Sequence, residues 1–415
     1  MTRFGLVSHV LPPSSSGQSM VLYRLLKDLS PSQYCLIRSG QAGASLDGPG
    51  FTPRLAAKHF QIHPVRWPSD TSARVRTWSA VGRGVSRLLG LMAPHIESLD
   101  MGRRVRQISR ILEHEGCGAV VACTGDLLDM PSAFLASRRV GLPFYAYYFD
   151  YYSQQWVDPI ARFVAERLEG HLLRGARGII VPNEFLGTEL NRRYGVEPTI
   201  IRNPCELAAE KPHLAEVPEV GSQIRIVYVG TVYSAQLDAM VNLVSALRLA
   251  GKGDFRLHLY TATSRQKLQE MGIMDPVQVH DHSPASEVSA IYRSAHILFL
   301  PLAFNSRYRS VIVKTSAPAK MGEYLASGCP ILVHAPPRCF VSRYFRDHQC
   351  GLVIDRKDPT LLSEAVFRLA SDSALRKALT DAAWERARTD FDATRSRHRF
   401  TALMGISHSG SVAGT

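Results

Sequence analysis

The sequence lacks several features that would assign it to a common class of protein. No apolar run approaches the length of a membrane-spanning helix, so we expect a soluble or membrane-peripheral protein. No Walker-type phosphate loop, G-x-G-x-x-G motif or Ser-His-Asp arrangement is evident, and chemistry that depends on those motifs is therefore not indicated. No short-period repeat occurs, which excludes a solenoid or a propeller.

Paired cysteines are also missing. The seven cysteines are odd in number and include no C-x-x-C pair, a pattern that disfavours a disulfide framework and a structural zinc site. We therefore expect buried thiols in a reducing compartment, which favours a cytoplasmic location. No metal ion and no cofactor are predicted.

Positive charge is abundant and unevenly spread. The net charge is +13, and the stretch from Arg54 to Arg110 holds eleven basic residues against three acidic ones. Such a patch can serve an anionic lipid, an anionic substrate or nucleic acid. Nucleic acid is the weakest candidate because no nucleic-acid-binding motif accompanies the charge, and no nucleic-acid partner is predicted. Within the patch, Arg76, Arg83 and Arg87 share one face of a predicted helix. This helix is either an ordinary surface helix or a segment that docks on the inner face of an anionic membrane.

Strand-like and helix-like segments alternate along the chain, which is typical of parallel α/β layers. The first strand is predicted over Phe4 to Val10, and a second series begins with the strand Ile224 to Gly230. Between them, Asn203 to Ser222 is rich in Glu, Pro and Ala and indicates an interdomain linker. A chain of 415 residues is long enough for two cores, so we predict two Rossmann-like halves.

The most informative segment is Ser316 to Pro330, which is followed by an apolar strand. It predicts a short helix over Lys320 to Ser327, with Gly328 as the C-terminal stop. Lys320 and Glu323 lie in its first turn, where unpaired N–H groups attract an anion and a carboxylate can accept hydrogen bonds from ribose hydroxyls. An ordinary αβ unit is the alternative.

This segment resembles the nucleotide-sugar site of GT-B glycosyltransferases, particularly the retaining family-4 group with its P-x-K-x-x-E-Y-L-A-x-G-x-P-I relatives. The resemblance implies that Glu323 binds the donor ribose. We expect this side chain to face the cleft, so that its replacement changes thermal stability little. Thr315 stands where that family often has a second acidic residue.

The resemblance implies that the chain has three structured parts. They are an N-terminal acceptor-binding domain over 1–205, a nucleotide-sugar-binding domain over 206–390, and a helix over 391–404 that crosses back to the first domain. The tail over 405–415 is low in complexity, and we predict that it is disordered.

Further donor-binding residues follow from the same resemblance. Gly230 and Thr231 end the first strand of the second half, where a glycine allows a phosphate or sugar to approach the backbone. The family's basic pair after this glycine is absent, and Arg309 and Lys320 are its predicted replacements. His282 belongs to a loop that cups the base. The remaining predicted donor-binding residue, Gly17, ends a P-P-x-x-G-G type loop, for which a plain strand-to-helix turn is the alternative.

The segment from Tyr145 to Trp156 is unusually aromatic and follows a strand. Because aromatic faces stack on sugars, Tyr148, Tyr151 and Trp156 are predicted to bind the acceptor. Asp150 stands where family-4 enzymes often have a histidine that contacts the donor sugar. Asp150 and Lys320 are the predicted catalytic residues.

The sequence thus predicts a metal-independent, retaining glycosyltransferase of the α/β GT-B fold, with a role in polysaccharide biosynthesis. A UDP-sugar is the first candidate donor and a GDP-sugar the next, and the acceptor is a glycan, a lipid-linked molecule or a small molecule. In retaining enzymes of this fold, the leaving phosphate takes the acceptor proton, so a protein base is not required. The alternatives are a catalytically silent GT-B subunit that binds a sugar or a partner, and a nucleotide-sugar epimerase.

Overall fold

The structure, a computed structural model, describes residues 3–14, 16–39, 53–63, 99–213, 223–250 and 255–406. It contains two parallel β-sheets, each covered by helices, and this arrangement confirms the predicted α/β class with two Rossmann-like domains. Among the described helices, none is long and apolar enough to cross a membrane.

The first domain is built on a seven-stranded sheet in the order β3-β2-β1-β4-β5-β6-β7, with every neighbouring pair parallel. Its strands are β1 Phe4–Val7, β2 Tyr34–Ser39, β3 Lys58–Ile62, β4 Ala119–Cys123, β5 Phe144–Tyr147, β6 Gly178–Val181 and β7 Thr199–Ile200. Its helices are α1 Gly17–Leu26, α2 over residues 99–114, α3 Asp129–Arg139, α4 Pro159–Gly175 and α5 Glu184–Tyr194, with a short 3₁₀ turn over Pro31–Gln33.

Both faces of this sheet are buried. Along β4, Val120 and Ala122 belong to one core cluster, whereas Val121 and Cys123 belong to another. Because successive side chains of a strand point to opposite faces, each cluster fills the space between one face of the sheet and its helices. This explains why the strands are nearly continuous apolar runs.

The second domain has a six-stranded parallel sheet in the order β10-β9-β8-β11-β12-β13. Its strands are β8 Ile224–Val229, β9 Phe255–Tyr260, β10 Val277–His280, β11 Ile297–Pro301, β12 Ile331–His334 and β13 Leu352–Ile354. Its helices are α6 Leu237–Leu249, α7 Arg265–Glu270, α8 Ala285–Arg293, α9 Ser310–Thr315, α10 Met321–Ala326, α11 Phe340–Asp347, α12 Pro359–Ser371 and α13 Ser373–Arg386, followed by a π-helical turn over Ala387–Phe391.

The chain passes between the domains twice, and the two crossings are joined to each other. The N–H of Cys205 donates to the carbonyl of Phe391 (2.8 Å), and the N–H of Ala393 donates to the carbonyl of Cys205 (3.1 Å). The last helix, α14 (Ala393–Leu403), then packs on the first domain, where the ring of Phe400 lies 5.9 Å from that of Phe4. Asp392 caps this helix by accepting from the N–H of Arg395 (2.8 Å).

Two sequence predictions concern residues that the structure only partly describes. Most of the basic patch, including the predicted helix with Arg76, Arg83 and Arg87, lies outside the described residues. The predicted disordered tail begins at Gly405, but Ile406 is 5% exposed and packs in the core of the first domain, so the tail prediction is wrong at that residue. The rest of the predicted tail, 407–415, is outside the described residues.

Candidate active site

A cavity of about 590 Å³ lies between the two domains. The first domain contributes the start of α1, and the second contributes α10 with the residues just before it and the loops that follow β8 and β10. These loops leave the carboxyl ends of parallel strands, the edge at which open α/β sheets bind ligands. Six of the residues predicted to bind a donor line this cavity: Gly17, Gly230, Thr231, His282, Lys320 and Glu323. Their role in binding stays a prediction.

At the carboxyl end of β8, the backbone of Gly230 lies close to the amine of Lys320. Gly230 has a φ of +134°, a conformation that side chains disfavour. A Cβ added to it would lie 2.9 Å from Nζ of Lys320. The absence of a side chain at this position therefore leaves room for the lysine against the backbone.

Lys320 is held by the end of the same strand. Its Nζ donates to the carbonyl of Val229 (2.7 Å) and lies 3.8 Å from the centroid of the Tyr228 ring. Burial lowers the pKa of Lys320 to about 7, against the opposing influence of the Glu323 carboxylate. An amine with this pKa can change its charge near neutral pH, so an anion that enters the cavity would favour its protonated form.

Helix α10 carries Glu323 and is shorter than predicted, with six residues over Met321–Ala326. Its close packing requires Gly322, because a Cβ there would lie 3.1 Å from the Phe391 side chain and 3.2 Å from Cβ of Cys205. Gly328 follows with a φ of +75°, as expected of a helix stop. The helix is thus fixed against the point where the two crossings meet.

The carboxylate of Glu323 has partners from both domains. Its Oε1 accepts from Nη2 of Arg24, a residue of α1 in the first domain, and its Oε2 accepts from the hydroxyl of Tyr292 (3.3 Å). Arg24 is 8% exposed, so the carboxylate balances a buried positive charge. This ion pair argues against the expectation that replacing Glu323 changes stability little, because the loss would leave that charge without its partner.

The start of α1 approaches the second domain closely. The side chain of Ser16 caps the helix by accepting from the N–H of Ser19 (3.1 Å). Gly17 follows, and a Cβ added to it would lie 2.9 Å from Cβ of Ala319. A side chain at this position would therefore push the two walls of the cavity apart.

Of the two predicted replacement charges, Lys320 lines the cavity but Arg309 does not. Arg309 is exposed at the start of α9 and does not line the cavity, so the structure does not support it as a donor-binding residue. Lys314 points to the first domain, with Nζ 3.7 Å from Glu189. Thr315 is 4% exposed, and its carbonyl accepts from Nδ2 of Asn183 in the first domain (2.8 Å). It takes no part in the cavity wall.

The aromatic segment is mostly structural, which corrects the prediction of an acceptor site. Tyr148 and Tyr151 are 0% and 1% exposed and belong to the core of the first domain. The hydroxyl of Tyr148 donates to Glu169 (3.3 Å), and the side chain of Trp156 packs against the same core. These rings were expected near the cleft because they follow a strand, but the segment turns back onto α4 instead.

Asp150, in contrast, has an exposed surface, although the protein around it desolvates its carboxylate and raises its pKa. Its N–H donates to Oγ1 of Thr124 (3.4 Å), which fixes it at the carboxyl edge of the first sheet. Burial raises the pKa of Tyr233, a cavity-lining residue of the second domain, and the nearby Asp150 carboxylate raises it further. Asp150 therefore lies near Tyr233 of the opposite domain, although it is not one of the residues that line the cavity.

A second polar cluster lies at this edge of the first sheet. The ring of His9, which follows β1, packs against Gly125 so closely that a Cβ there would lie 2.0 Å from its Cε1. The next residue, Asp126, accepts from Nη1 of Arg104 (2.8 Å). Burial lowers the pKa of His9, while Asp126 opposes this and Arg38 adds to it. A neutral imidazole here can exchange hydrogen bonds with a hydroxyl.

The sequence did not predict three residues that line the cavity, Arg24, Tyr292 and Arg293. Arg24 carries a weak signal, since it is a charge inside the otherwise apolar run of α1. Its partner Glu323 is 299 positions away along the chain, however, and no local pattern joins the two.

Comparisons with known proteins agree with this architecture. Residues 223–372 match the family model described as Glycosyl transferases group 1. Among curated proteins, none matches this chain. The family match covers the second domain as far as the end of α12 and includes Gly230, Lys320 and Glu323.

Several solved structures share the two-domain fold. Sucrose-phosphate synthase from Thermosynechococcus elongatus has a TM-score of 0.67 at 14% identity, over 98% of both chains. HepE from Anabaena, solved in complex with UDP and glucose, has a TM-score of 0.65 at 10% identity, over 98% of this chain and 100% of its own. An α,α-trehalose-phosphate synthase (UDP-forming) from Burkholderia vietnamiensis has a TM-score of 0.61 at 13% identity, over 98% and 100%. These likenesses show that the fold is GT-B.

Proposed function

We propose that this chain is a glycosyltransferase that transfers a sugar from a nucleotide-sugar donor to an acceptor hydroxyl. Support comes from residues 223–372 of the second domain, which match the family model described as Glycosyl transferases group 1. The observation that carries the proposal is the meeting of Gly230, Lys320 and Glu323 in one cavity at the carboxyl edge of the second sheet. Together they offer space for a phosphate at the backbone, a titratable amine and a carboxylate for a ribose.

A UDP-sugar is the first candidate donor and a GDP-sugar the second. Support comes from the structural neighbours, because HepE was solved with UDP and with UDP-glucose. The ribose would bind at Glu323, and the diphosphate would lie against Gly230 and Lys320. His282, at the rim of the cavity, would lie beside the base.

Transfer would proceed with retention and without a metal ion. As the bond between the sugar and the phosphate breaks, negative charge develops on the diphosphate. The ammonium group of Lys320 would stabilise this charge in a partly enclosed cavity, where the interaction is stronger than in water. The leaving phosphate would accept the proton of the attacking hydroxyl, so no side chain is needed as the base.

The acceptor would bind to the first domain, on the other wall of the cleft. Asp150 and the neighbouring His9 offer a carboxylate and a neutral imidazole, both of which form hydrogen bonds with sugar hydroxyls. A glycan, a lipid-linked molecule or a small molecule would fit this chemistry. For a lipid-linked acceptor, the basic patch would hold the protein on an anionic membrane, and co-sedimentation with anionic but not neutral vesicles would show this.

The proposed function is tested by incubating the purified protein with UDP-, GDP- and dTDP-sugars and measuring the release of free nucleotide. We expect turnover with one donor class and its loss in Lys320→Ala. Nucleotide binding without any turnover, even with glycan acceptors, would instead identify a catalytically silent subunit. Absence of both binding and turnover would contradict the proposal.

A further inference from the structure

Arg24 belongs to the first domain, but its guanidinium group ends inside the site of the second. Its Nη2 donates to Oε1 of Glu323, and its Nη1 donates to the carbonyl of Pro204 (2.9 Å). The residue is 8% exposed and lines the cavity. It is therefore placed both to hold the Glu323 carboxylate and to interact with a ligand that binds beside it.

The backbone of Arg24 is fixed as firmly as its side chain. Nη1 of Arg397, on the last helix, donates to the carbonyl of Arg24 (2.9 Å) and lies 2.7 Å from the carboxylate of Asp28. Helix α14 thus clamps the end of α1 from which Arg24 projects. A residue held at both ends loses little freedom when it forms a further contact, which is the usual condition for preorganisation.

The contacts of Glu323 leave room for a ligand. A carboxylate has about four lone-pair positions, of which Arg24 and Tyr292 occupy one each in the described structure. The remaining positions can accept the two hydroxyls of a ribose. Because Arg24 and Tyr292 hold one oxygen each, they fix the rotation of the carboxyl plane.

Lys320 and Glu323 bring opposite charges into the same cavity. Lys320 lies near enough to Glu323 for the carboxylate to influence its pKa. In the described residues the carboxylate pairs with Arg24, and no ion pair joins it to Lys320. Lys320 donates to the carbonyl of Val229, and its charge remains available for a diphosphate.

We propose that Arg24 is a positioning residue for the donor ribose, which it serves from the first domain by holding the carboxylate of Glu323 in place. Recognition of the ribose diol then depends on the two domains being in the described arrangement. This inference rests on the proposed function, because it assumes that a nucleotide occupies the cavity.

The test compares UDP with 2′,3′-dideoxy-UDP, which lacks the hydroxyls that Glu323 would bind. Both are titrated calorimetrically into the wild-type protein, Arg24→Gln and Arg24→Lys. We expect Arg24→Gln to weaken UDP binding at least about tenfold while changing the affinity for dideoxy-UDP by less than about twofold. Arg24→Lys keeps the charge but cannot form the two separate contacts of a guanidinium group, so its loss of UDP affinity should be intermediate.

Lys27→Ala is the matched control, since Lys27 is also a cation of this region and pairs with Glu206 (2.9 Å) rather than with Glu323. It should leave both affinities unchanged. Melting curves show whether each variant is folded, and Arg24→Lys keeps the test decisive if Arg24→Gln does not fold.

The outcomes separate the two proposals. If the wild-type protein binds UDP and the Arg24 variants lose affinity for both ligands equally, Arg24 is a general structural residue and the inference is overturned. Unchanged affinity for UDP in those variants would overturn it as well. If the wild-type protein binds neither UDP nor GDP, the proposed function itself fails.

Discussion

Individual residues carry the strongest physical constraints in this molecule. Arg24 and Glu323 form an ion pair across the two domains, with side chains that are 10% and 24% exposed. Removal of one partner of a buried pair is costly because the other charge stays desolvated. The same pair therefore links the stability of the protein to the geometry of its cavity.

Glu323→Ala should lower the free energy of unfolding by about 2–4 kcal/mol, near the lower end for buried pairs because Glu323 is partly exposed. Urea denaturation of the ligand-free protein measures this. Glu206→Ala is the control, since Glu206 also pairs with basic residues but its side chain is 46% exposed; its loss should cost less than about 1 kcal/mol. Equal stability of Glu323→Ala and wild type would show that the ion pair contributes nothing.

Lys320 gives the cavity a pH dependence. Its pKa in the folded protein is about 7, below that of a free lysine, so between pH 7 and about pH 10 the unfolded chain binds more protons and the free energy of unfolding rises with pH. A bound diphosphate favours the protonated amine. UDP affinity should therefore fall from pH 7.5 to 9, by up to about tenfold per pH unit.

Calorimetric titrations of UDP at several pH values measure this slope. Lys320→Arg is the control. Because a guanidinium group stays charged throughout this range, the UDP affinity of this variant should change little with pH. The same slope in both proteins would show that Lys320 does not contact the diphosphate.

At the scale of the element, local signals explain what could be predicted. The end of the helix at Gly328 and the end of the strand at Gly230 could be predicted, because glycine adopts the positive φ that the chain has at both turns. Helix α11 was not predicted, because its N-cap is Cys339, whose Sγ accepts from the N–H of Ser342 (3.5 Å), and cysteine is not a recognised cap signal. Strand β2 was not predicted either, since a short apolar run without alternation does not distinguish strand from helix.

The segment after β5 shows the limit of such reasoning. Its composition predicted a sugar-binding platform, but composition does not determine on which side of the strand a loop folds. Tyr148 is buried in the core, whereas Asp150, two residues later, is exposed and lies near Tyr233 of the second domain. The contacts that decide this, such as those of Glu169 with Tyr148 and Tyr194, join distant parts of the sequence.

Replacing Asp150 or Trp156 by alanine should accordingly have opposite effects, the first on turnover and the second on stability. Asp150→Ala should reduce donor turnover at least about tenfold without changing the melting temperature, because its exposed side chain contributes little to stability. Trp156→Ala should lower the free energy of unfolding by about 2–4 kcal/mol and leave UDP affinity nearly unchanged, since it removes a large packed ring. Thermal melts, UDP titrations and nucleotide release measure these effects. A destabilised Asp150→Ala or a Trp156→Ala with normal stability would contradict this assignment.

At the scale of the whole molecule, the cavity exists because the two domains are held together. Nδ2 of Asn203 donates to the carbonyl of Ala317 (2.9 Å). The backbone hydrogen bonds of Cys205 with Phe391 and Ala393 join the two crossings of the chain. The two-domain fold could be predicted because a short motif resembled a known family. The contacts that close the cleft could not, because they connect residues from opposite halves of the sequence.

The central claim is that this interdomain cavity binds a nucleotide through Glu323. Calorimetric titration of UDP and GDP into wild-type protein, Glu323→Gln and the control Glu287→Gln tests it most directly, because Glu287 is an exposed carboxylate of α8 that does not line the cavity. A charge-assisted hydrogen bond contributes about 1.5–3 kcal/mol, so Glu323→Gln should bind UDP roughly 10- to 150-fold more weakly, while Glu287→Gln binds as wild type does. Equal affinity of all three proteins, or no binding by the wild type, would contradict the claim.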